Sequence, residues 1–127
     1  MSYGIQVNQK AEPIHTENAP AAIGPYVQAV NFGNLLFTSG QIPVNPTTGE
    51  IPADIVAQAR QSLEIVKAIV KKAGLNVADI IKTTVFMKNL ADFAAVNAEY
   101  ERFFKENRHP NFPARSCVEV ARLPKDV

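Results

Sequence analysis

The chain has 127 residues, of which 46% are hydrophobic and 20% are charged. These proportions suit one globular domain with a buried core, and they exclude a disordered chain. The 13 Lys and Arg residues oppose 12 Asp and Glu residues, which leaves a net charge of +1. Because there is no basic excess, nucleic acid is not an expected partner.

Missing motifs exclude further classes of protein. Cys117 is the single cysteine, and with His15 and His109 it forms no recognisable metal-ligand spacing, so neither a disulfide nor a metal site is predicted. No dinucleotide-binding, P-loop or zinc-protease motif is present, so no cofactor is predicted. The sequence also lacks an apolar run of the roughly 20 residues that span a bilayer and the apolar centre of a secretory signal. We therefore expect a cytoplasmic protein without a membrane partner.

In chain order, the first feature is a polar segment, residues 1–13, which we interpret as an N-terminal extension that frays or pairs at a sheet edge near Ile14. Residues 14–127 form the single predicted domain. Within it, residues 26–31 and 35–39 are predicted to be strands that pair antiparallel around a tight turn. Prolines and glycines then predict a loop.

A long amphipathic helix follows this loop. Its apolar residues recur at steps of three and four, which is the pattern of a helix that packs on a sheet. They are Ile55, Val56, Ala59, Leu63, Val66, Ile69, Val70 and Ala73. Lys71 and Lys72 suit the negative end of the helix dipole, and Gly74 permits a left-handed cap, so the helix is predicted to end there.

The rest of the chain predicts a strand, a second helix and a last strand. Residues 79–87 are rich in Ile, Thr, Val and Phe, which favours a strand. Asn89 is the predicted N-cap of the second helix, which ends before Pro110, and residues 114–121 are the last strand. The residues of the second helix that are predicted to face inward are Leu90, Phe93, Val96, Tyr100, Phe103 and Phe104.

This order predicts an α+β fold, a two-layer domain in which two helices cover one face of a mixed β-sheet. The predicted strands carry apolar residues on both faces, whereas the helices cover only one of them. We therefore expect the uncovered face to be buried between subunits of a homo-oligomer.

Arg115 is the most informative candidate for chemistry. On a strand with a period of two, Arg115, Cys117 and Glu119 lie on the same face. A guanidinium group binds a carboxylate through two parallel hydrogen bonds and stays charged, so Arg115 predicts an anion site. An ordinary surface arginine in a salt bridge is the alternative.

Cys117 has three interpretations: a buried apolar residue, a thiol that lines a pocket, or a covalent nucleophile. His109 lies eight positions away in a predicted loop, and nothing in the sequence brings it to the sulfur. The sequence therefore does not favour the nucleophile.

Four more residues are candidates for the same pocket. Ser39 and Gly40 end a strand, where a ligand can approach backbone donors, and a simple turn is the other interpretation. Tyr26 either presents its hydroxyl to a pocket or packs. Asn97 is next to the apolar stripe of the second helix, and its amide either caps a loop or faces the site.

Three segments make the sequence similar to the reactive intermediate deaminase family, the RidA or YjgF type, also called endoribonuclease L-PSP or translation inhibitor. They are Ala-Ala-Ile-Gly-Pro-Tyr at 21–26, Phe-Thr-Ser-Gly-Gln-Ile-Pro at 37–43 and Pro-Ala-Arg-Ser-Cys-Val-Glu-Val-Ala-Arg-Leu-Pro at 113–124. The third segment resembles the signature region of the family and contains Arg115.

The resemblance implies a chorismate-mutase-like protomer that assembles as a trimer, with pockets between neighbouring subunits. It implies hydrolysis of reactive enamines and imines, such as 2-aminoacrylate and 2-aminocrotonate, to 2-keto acids and ammonia, without a metal or cofactor. A further strand that carries a glutamate would follow the Pro-Lys-Asp turn, beyond Val127.

The resemblance also assigns roles to the candidate residues. Arg115 would bind the substrate carboxylate, and Ser39, Gly40 and the backbone at Cys117 would line the pocket. Tyr26 would reach into it from the same or a neighbouring subunit. Asn97 matches a position near the pocket.

Two other functions stay open. The chain is alternatively a non-catalytic binder or sensor of small 2-keto acids that uses the same arginine. The older family name implies an endoribonuclease or translation inhibitor. Because a phosphate-binding groove normally shows clustered basic residues, the balanced charge disfavours the endoribonuclease.

Overall fold

A computed structural model of the chain describes residues 10–127. Three strands form an antiparallel sheet at the start of this range: β1 (Glu12–Ile14), β2 (Ala29–Phe32) and β3 (Leu35–Thr38), in the order β1-β2-β3. The predicted hairpin is confirmed. The extension pairs at the sheet edge through β1, which is one of the two predicted outcomes, while residues 1–9 of it lie outside the described range.

Two strands form a separate parallel pair, β4 (Lys82–Met87) and β5 (Ala114–Glu119). The strands thus pair both antiparallel and parallel, as the predicted mixed sheet requires. However, no backbone pairing among the described residues joins β3 to β4. The expected sheet is therefore divided into two.

The first helix, α1 (Ile55–Lys72), begins and ends where the sequence predicts. The Asp54 carboxylate accepts a hydrogen bond from the backbone N–H of Ala57, which satisfies one of the unpaired donors of the first turn. At the other end, Gly74 has φ +84°, the left-handed conformation that glycine adopts without strain.

The segment before β4 corrects one prediction. The sequence places Asp79 at the start of a strand, whereas the structure has a 3₁₀ turn over Val77–Asp79 and β4 begins at Lys82. The Asp79 carboxylate accepts a hydrogen bond from the backbone N–H of Asn76 at 2.8 Å. This local bond stabilises the turn over the extended chain that the apolar composition favours.

The second helix begins slightly later than predicted. Asn89 accepts a hydrogen bond from the backbone of Ala91 and caps a 3₁₀ turn over Leu90–Asp92, and α2 (Phe93–Glu106) follows it. A last 3₁₀ turn covers Pro124–Asp126.

The two helices pack on the two sheets. Ile65 and Ile69 of α1 are buried with Ala29 of the first sheet, and Phe103 and Phe104 of α2 form a second cluster against Val85 of β4. Burial alternates along the strands, so the residues that face away from the helices are exposed. The large apolar ones are Phe32, Leu35, Phe37, Phe86 and Val118.

Candidate active site

Arg115 lies on β5 beside Thr83 of β4, which is its cross-strand partner. The side chains of Thr83 and Arg115 are on the face of the strand pair that α2 covers, because each is half-buried between exposed neighbours. The parallel pairing of β4 and β5 therefore directs the guanidinium group of Arg115 along the surface of α2.

Three residues of α2 contact this guanidinium group. Its Nη1 donates a hydrogen bond of 2.8 Å to Oδ1 of Asn97. Its central carbon lies 4.8 Å from the ring centroid of Tyr100 and 5.5 Å from that of Phe93, which are cation–π distances. One edge of the Arg115 guanidinium group is thus hydrogen-bonded and its plane lies near two aromatic rings. No salt bridge to Arg115, which was the alternative interpretation, forms within the described range.

Cys117 lies two residues farther along the same face and is partly buried. Its thiol donates a hydrogen bond to the thioether sulfur of Met87 at 3.5 Å. The His109 ring instead donates from Nε2 to the carbonyl oxygen of Ile80 at 2.7 Å. A base that would activate the thiol is therefore not supplied by His109.

Glu119, the third residue of this face, has a structural partner. Its Oε1 accepts a hydrogen bond of 2.8 Å from the backbone N–H of Leu90. This contact connects the end of β5 to the turn that precedes α2.

Tyr26 and Gly40 lie together at a different place, in a small pocket that Gln28 and Lys125 also line. Ser39, next to Gly40, donates its hydroxyl proton to the carbonyl oxygen of Val27 at 2.6 Å. A Cβ built on Gly40 would meet no heavy atom within 4 Å, so the space beside it is open.

The structure therefore forms two groups from the predicted site residues. Arg115 contacts Asn97, whereas Tyr26 and Gly40 line the other pocket, which does not include Arg115. No hydrogen bond within residues 10–127 joins one group to the other. The pocket has a volume of about 60 Å³, and by itself it contains no arginine that would bind a carboxylate.

The sequence did not single out Phe93 and Tyr100 as site residues, because apolar spacing assigns both to the core. Phe93, Asn97 and Tyr100 are spaced at i, i+4 and i+7, which places them on one side of a helix. An amide between two aromatic residues at this spacing is the signal that would have found the group. The strand residue that contacts this group is decided by how α2 packs on the strands.

Burial changes the titration of Tyr100. The residue is 6% exposed, and burial raises the pKa of its phenol above the ordinary value, while the hydrogen bond from Thr83 and the charge of Arg115 oppose the rise. The neutral phenol is therefore the form that the folded protein favours.

This shift predicts a loss of stability in alkali. An unfolded tyrosine ionises near pH ~10, whereas Tyr100 in the folded protein keeps its proton to higher pH. The stability that the neutral phenol of Tyr100 contributes is therefore fully present below the pKa of the unfolded tyrosine. It falls as the pH rises from there toward the pKa of Tyr100 in the folded protein, because the unfolded chain then binds fewer protons than the folded one. Urea unfolding across this range should show a smaller decline for Tyr100→Phe than for the parent chain. An equal decline would contradict the assignment of this titration to Tyr100.

Neither a metal-binding cluster nor a membrane-spanning helix is found in the described range. No group of three or more His, Cys, Asp and Glu side chains within residues 10–127 is arranged to hold a metal ion. Neither described helix combines the length and the apolar composition that crossing a membrane requires.

Comparison with known proteins identifies the family. A family model described as endoribonuclease L-PSP matches residues 16–127. The chain therefore belongs to this family, the YjgF/RidA family.

Three relatives show the degree of similarity in sequence and in structure. The chain is 85% identical to a RutC family protein of Haemophilus influenzae, over 90% of this chain and 88% of that protein. It is 72% identical to the 2-iminobutanoate/2-iminopropanoate deaminase of Escherichia coli K12, over 92% of this chain and 91% of that enzyme. The crystal structure of E. coli TdcF with bound serine has a TM-score of 0.89 and 63% identity, and covers 91% of this chain and 90% of TdcF. The predicted α+β fold is confirmed.

Proposed function

We propose that this protein hydrolyses short 2-imino acids and their enamine tautomers, such as 2-aminoacrylate and 2-aminocrotonate, to 2-keto acids and ammonia. The observation that carries the proposal is the arrangement of Arg115, which is held by an amide and two aromatic rings and pairs with no carboxylate of residues 10–127. The reaction is the one named for the E. coli relative at 72% identity.

Arg115 acts by binding the substrate carboxylate. Nη1 already donates to Asn97, and the guanidinium group has further N–H donors at Nη1, Nη2 and Nε for two parallel bonds to a carboxylate. This anchor orients the C2 carbon of the substrate without making a covalent bond to the protein.

The chemistry needs little further help. A proton from the solvent bonds to C3 of the enamine as the C2–C3 double bond becomes a C2–N double bond, which gives the protonated imine. The oxygen of water then bonds to C2 as the C2–N π-bond breaks, and one proton passes from that oxygen to the nitrogen. The C–N bond breaks, ammonia leaves, the C2–O double bond forms and the last proton of the oxygen returns to the solvent. Since orientation and hydrogen bonds lower the barrier to each step, Cys117 is not required as a nucleophile.

The two groups of site residues support a site shared between subunits. Arg115 with Asn97 forms one half, and the pocket of Tyr26, Gly40 and the adjacent Ser39 forms the other. Because no hydrogen bond within residues 10–127 joins the halves and the Tyr26 pocket does not include Arg115, we place Arg115 of one protomer against the Tyr26 pocket of its neighbour. Three such sites form in a cytoplasmic trimer.

The exposed apolar sheet face supports this assembly. Phe37 is 58% exposed, Phe86 is 53% exposed, and Val118 opposite Phe86 is 41% exposed. Apolar side chains clustered on one face mark an interface. The face is thus the surface that we expect the subunits to bury.

Light scattering after size-exclusion chromatography should give three times the mass of one chain. Phe86→Glu should shift this mass toward the monomer, because a carboxylate buried without a partner is strongly unfavourable. Ala95→Glu, which adds the same charge at an exposed position of the helix layer, should leave the trimer intact. A parent chain that is monomeric at micromolar concentration would refute the shared site.

A non-catalytic binder of small carboxylates is the second candidate. The observation that favours it is the related TdcF structure, which holds serine, a small carboxylate. The same arginine would serve, so the two functions differ only in turnover.

A coupled assay separates these functions. A pyridoxal-phosphate-dependent serine or threonine dehydratase generates the enamine, and the appearance of the 2-keto acid is followed with and without this protein. Acceleration supports the deaminase. Binding of 2-ketobutyrate in a calorimeter without acceleration supports the binder, and cleavage of RNA that is lost with Arg115→Ala supports the endoribonuclease.

A further inference from the structure

We infer that Tyr100, held by Thr83, is the positioning residue that keeps the Arg115 guanidinium group ready for a carboxylate. This inference rests on the proposed function and names a residue that acts on the substrate through Arg115. Tyr100 lies under the guanidinium group, at 4.8 Å from its carbon to the ring centroid, closer than Phe93 at 5.5 Å.

Tyr100 is itself immobilised on several sides. Its hydroxyl shares a hydrogen bond of 2.6 Å with Oγ1 of Thr83. Its ring packs against that of Phe104 with a centroid distance of 4.7 Å. Because only 6% of Tyr100 is exposed, neighbouring atoms surround the ring and favour one orientation.

The partner of that hydroxyl ties the ring to the strand that carries the arginine. Thr83 of β4 is directly opposite Arg115 of β5. The phenol is therefore connected to the backbone beside Arg115 at one end, while its π-face is beneath the guanidinium group. The position of the Tyr100 ring under the guanidinium group is therefore fixed by both β4 and α2.

An arginine whose side chain is already held in the binding conformation binds an anion more tightly than a mobile arginine does. A long arginine side chain has many rotamers, and binding normally requires all but one to be lost. Stacking on Tyr100 restricts the side chain before the ligand arrives, and the hydrogen bond to Asn97 selects the rotation about the last bond. The remaining donors then already form the fork that a carboxylate needs.

Phe103 provides a matched control on the same helix. It is a fully buried aromatic residue of the same cluster, and it also lies beneath an arginine, with the guanidinium carbon of Arg60 5.4 Å from its ring centroid. Phe103→Leu therefore removes a buried ring and a cation–π contact, as Tyr100→Leu does, but away from Arg115.

The test measures binding of 2-ketobutyrate by calorimetry and turnover in the dehydratase-coupled assay. Tyr100→Leu should raise the Kd and the KM about tenfold, while kcat changes much less because the reacting atoms keep their partners. Tyr100→Phe retains the ring but loses the hydrogen bond to Thr83, so its Kd should rise only about threefold, between those of the parent chain and Tyr100→Leu. Phe103→Leu should leave the Kd unchanged.

A milder variant covers the possibility that Tyr100→Leu does not fold. Thr83→Val keeps the shape of the side chain and removes the partner of the phenol, so the Kd should rise about threefold. An unchanged Kd with Thr83→Val, or an equal loss with Tyr100→Leu and Phe103→Leu, would overturn the inference.

The proposed function fails by a different result. If Arg115→Ala binds and turns over as the parent chain does, the carboxylate anchor is elsewhere. If Arg115→Ala loses binding while Tyr100→Leu and Thr83→Val do not, the anchor stands and only the positioning role is refuted.

Discussion

Arg115→Ala should lower kcat/KM for 2-aminoacrylate by about 100-fold or more, the range expected when one partner of a desolvated charge pair is truncated. The variant should fold normally, because Arg115 donates to Asn97 but pairs with no carboxylate in the structure. The dehydratase-coupled assay measures the effect, and unfolding in urea checks the fold.

Two matched variants isolate the role of the guanidinium group. Arg115→Lys keeps the charge but loses the fork and the stacking geometry, so its activity should lie between those of the parent chain and Arg115→Ala. Arg108→Ala removes an exposed arginine from the turn that follows α2 and should have no effect on turnover.

Cys117→Ser tests the competing mechanism. Within residues 10–127 the thiol of Cys117 hydrogen-bonds to the thioether of Met87 alone, and the reaction requires no covalent intermediate, so substantial activity should remain. Activity that disappears with Cys117→Ser and persists with Arg115→Ala would reverse the two assignments.

Arg60→Met should lower the free energy of unfolding by about 2–4 kcal/mol, because it leaves a buried carboxylate without one of its two partners. Glu99 of α2 is only 5% exposed. Arg60 of α1 donates to Glu99 at 3.1 Å and to Glu106 at 2.5 Å, and the hydrogen bond to Glu106 is the main reason that the pKa of Arg60 is raised. The methionine keeps most of the aliphatic stem but removes the guanidinium group over the Phe103 ring, so the loss reports the ion pairs together with that cation–π contact.

Two further variants identify the cause of this loss. Lys105→Ala breaks an exposed ion pair with Glu101 on the same helix, and it should cost no more than about 0.5 kcal/mol. In Arg60→Met/Glu99→Gln the buried charge is absent, so the double variant should be more stable than the sum of the single changes. A loss with Arg60→Met as small as that with Lys105→Ala would show that Arg102, which also pairs with Glu99, suffices alone.

Much of the fold follows from local sequence rules. The apolar spacing of residues 55–73 and the closing Gly74 predict α1, since a stripe at helical period and a left-handed cap are properties of neighbouring residues. The hairpin of β2 and β3 is predicted for the same reason. The prediction was wrong where a local polar bond competed, as at Asp79, whose carboxylate forms a turn in place of a strand.

The candidate site was predictable only in part. A period of two places Arg115 and Cys117 on one face of a strand, but it does not say which side α2 covers. The contact between Arg115 and Asn97 joins residues 18 positions apart, and it exists because β5 pairs with β4 beneath α2. The separation of the Tyr26 pocket from Arg115 is likewise a property of the packed chain.

The amino-acid sequence by itself thus determined the family and the helices, and it singled out Arg115 as the residue proposed to bind an anion. Each depends on short-range spacing or on the chemistry of a side chain, both of which are present before the chain folds. Only the tertiary structure decided that aromatic rings of α2 lie under Arg115 and that the site residues form two separate groups. Those contacts arise when distant segments pack, and the free energy of packing depends on the whole core rather than on neighbours in the sequence.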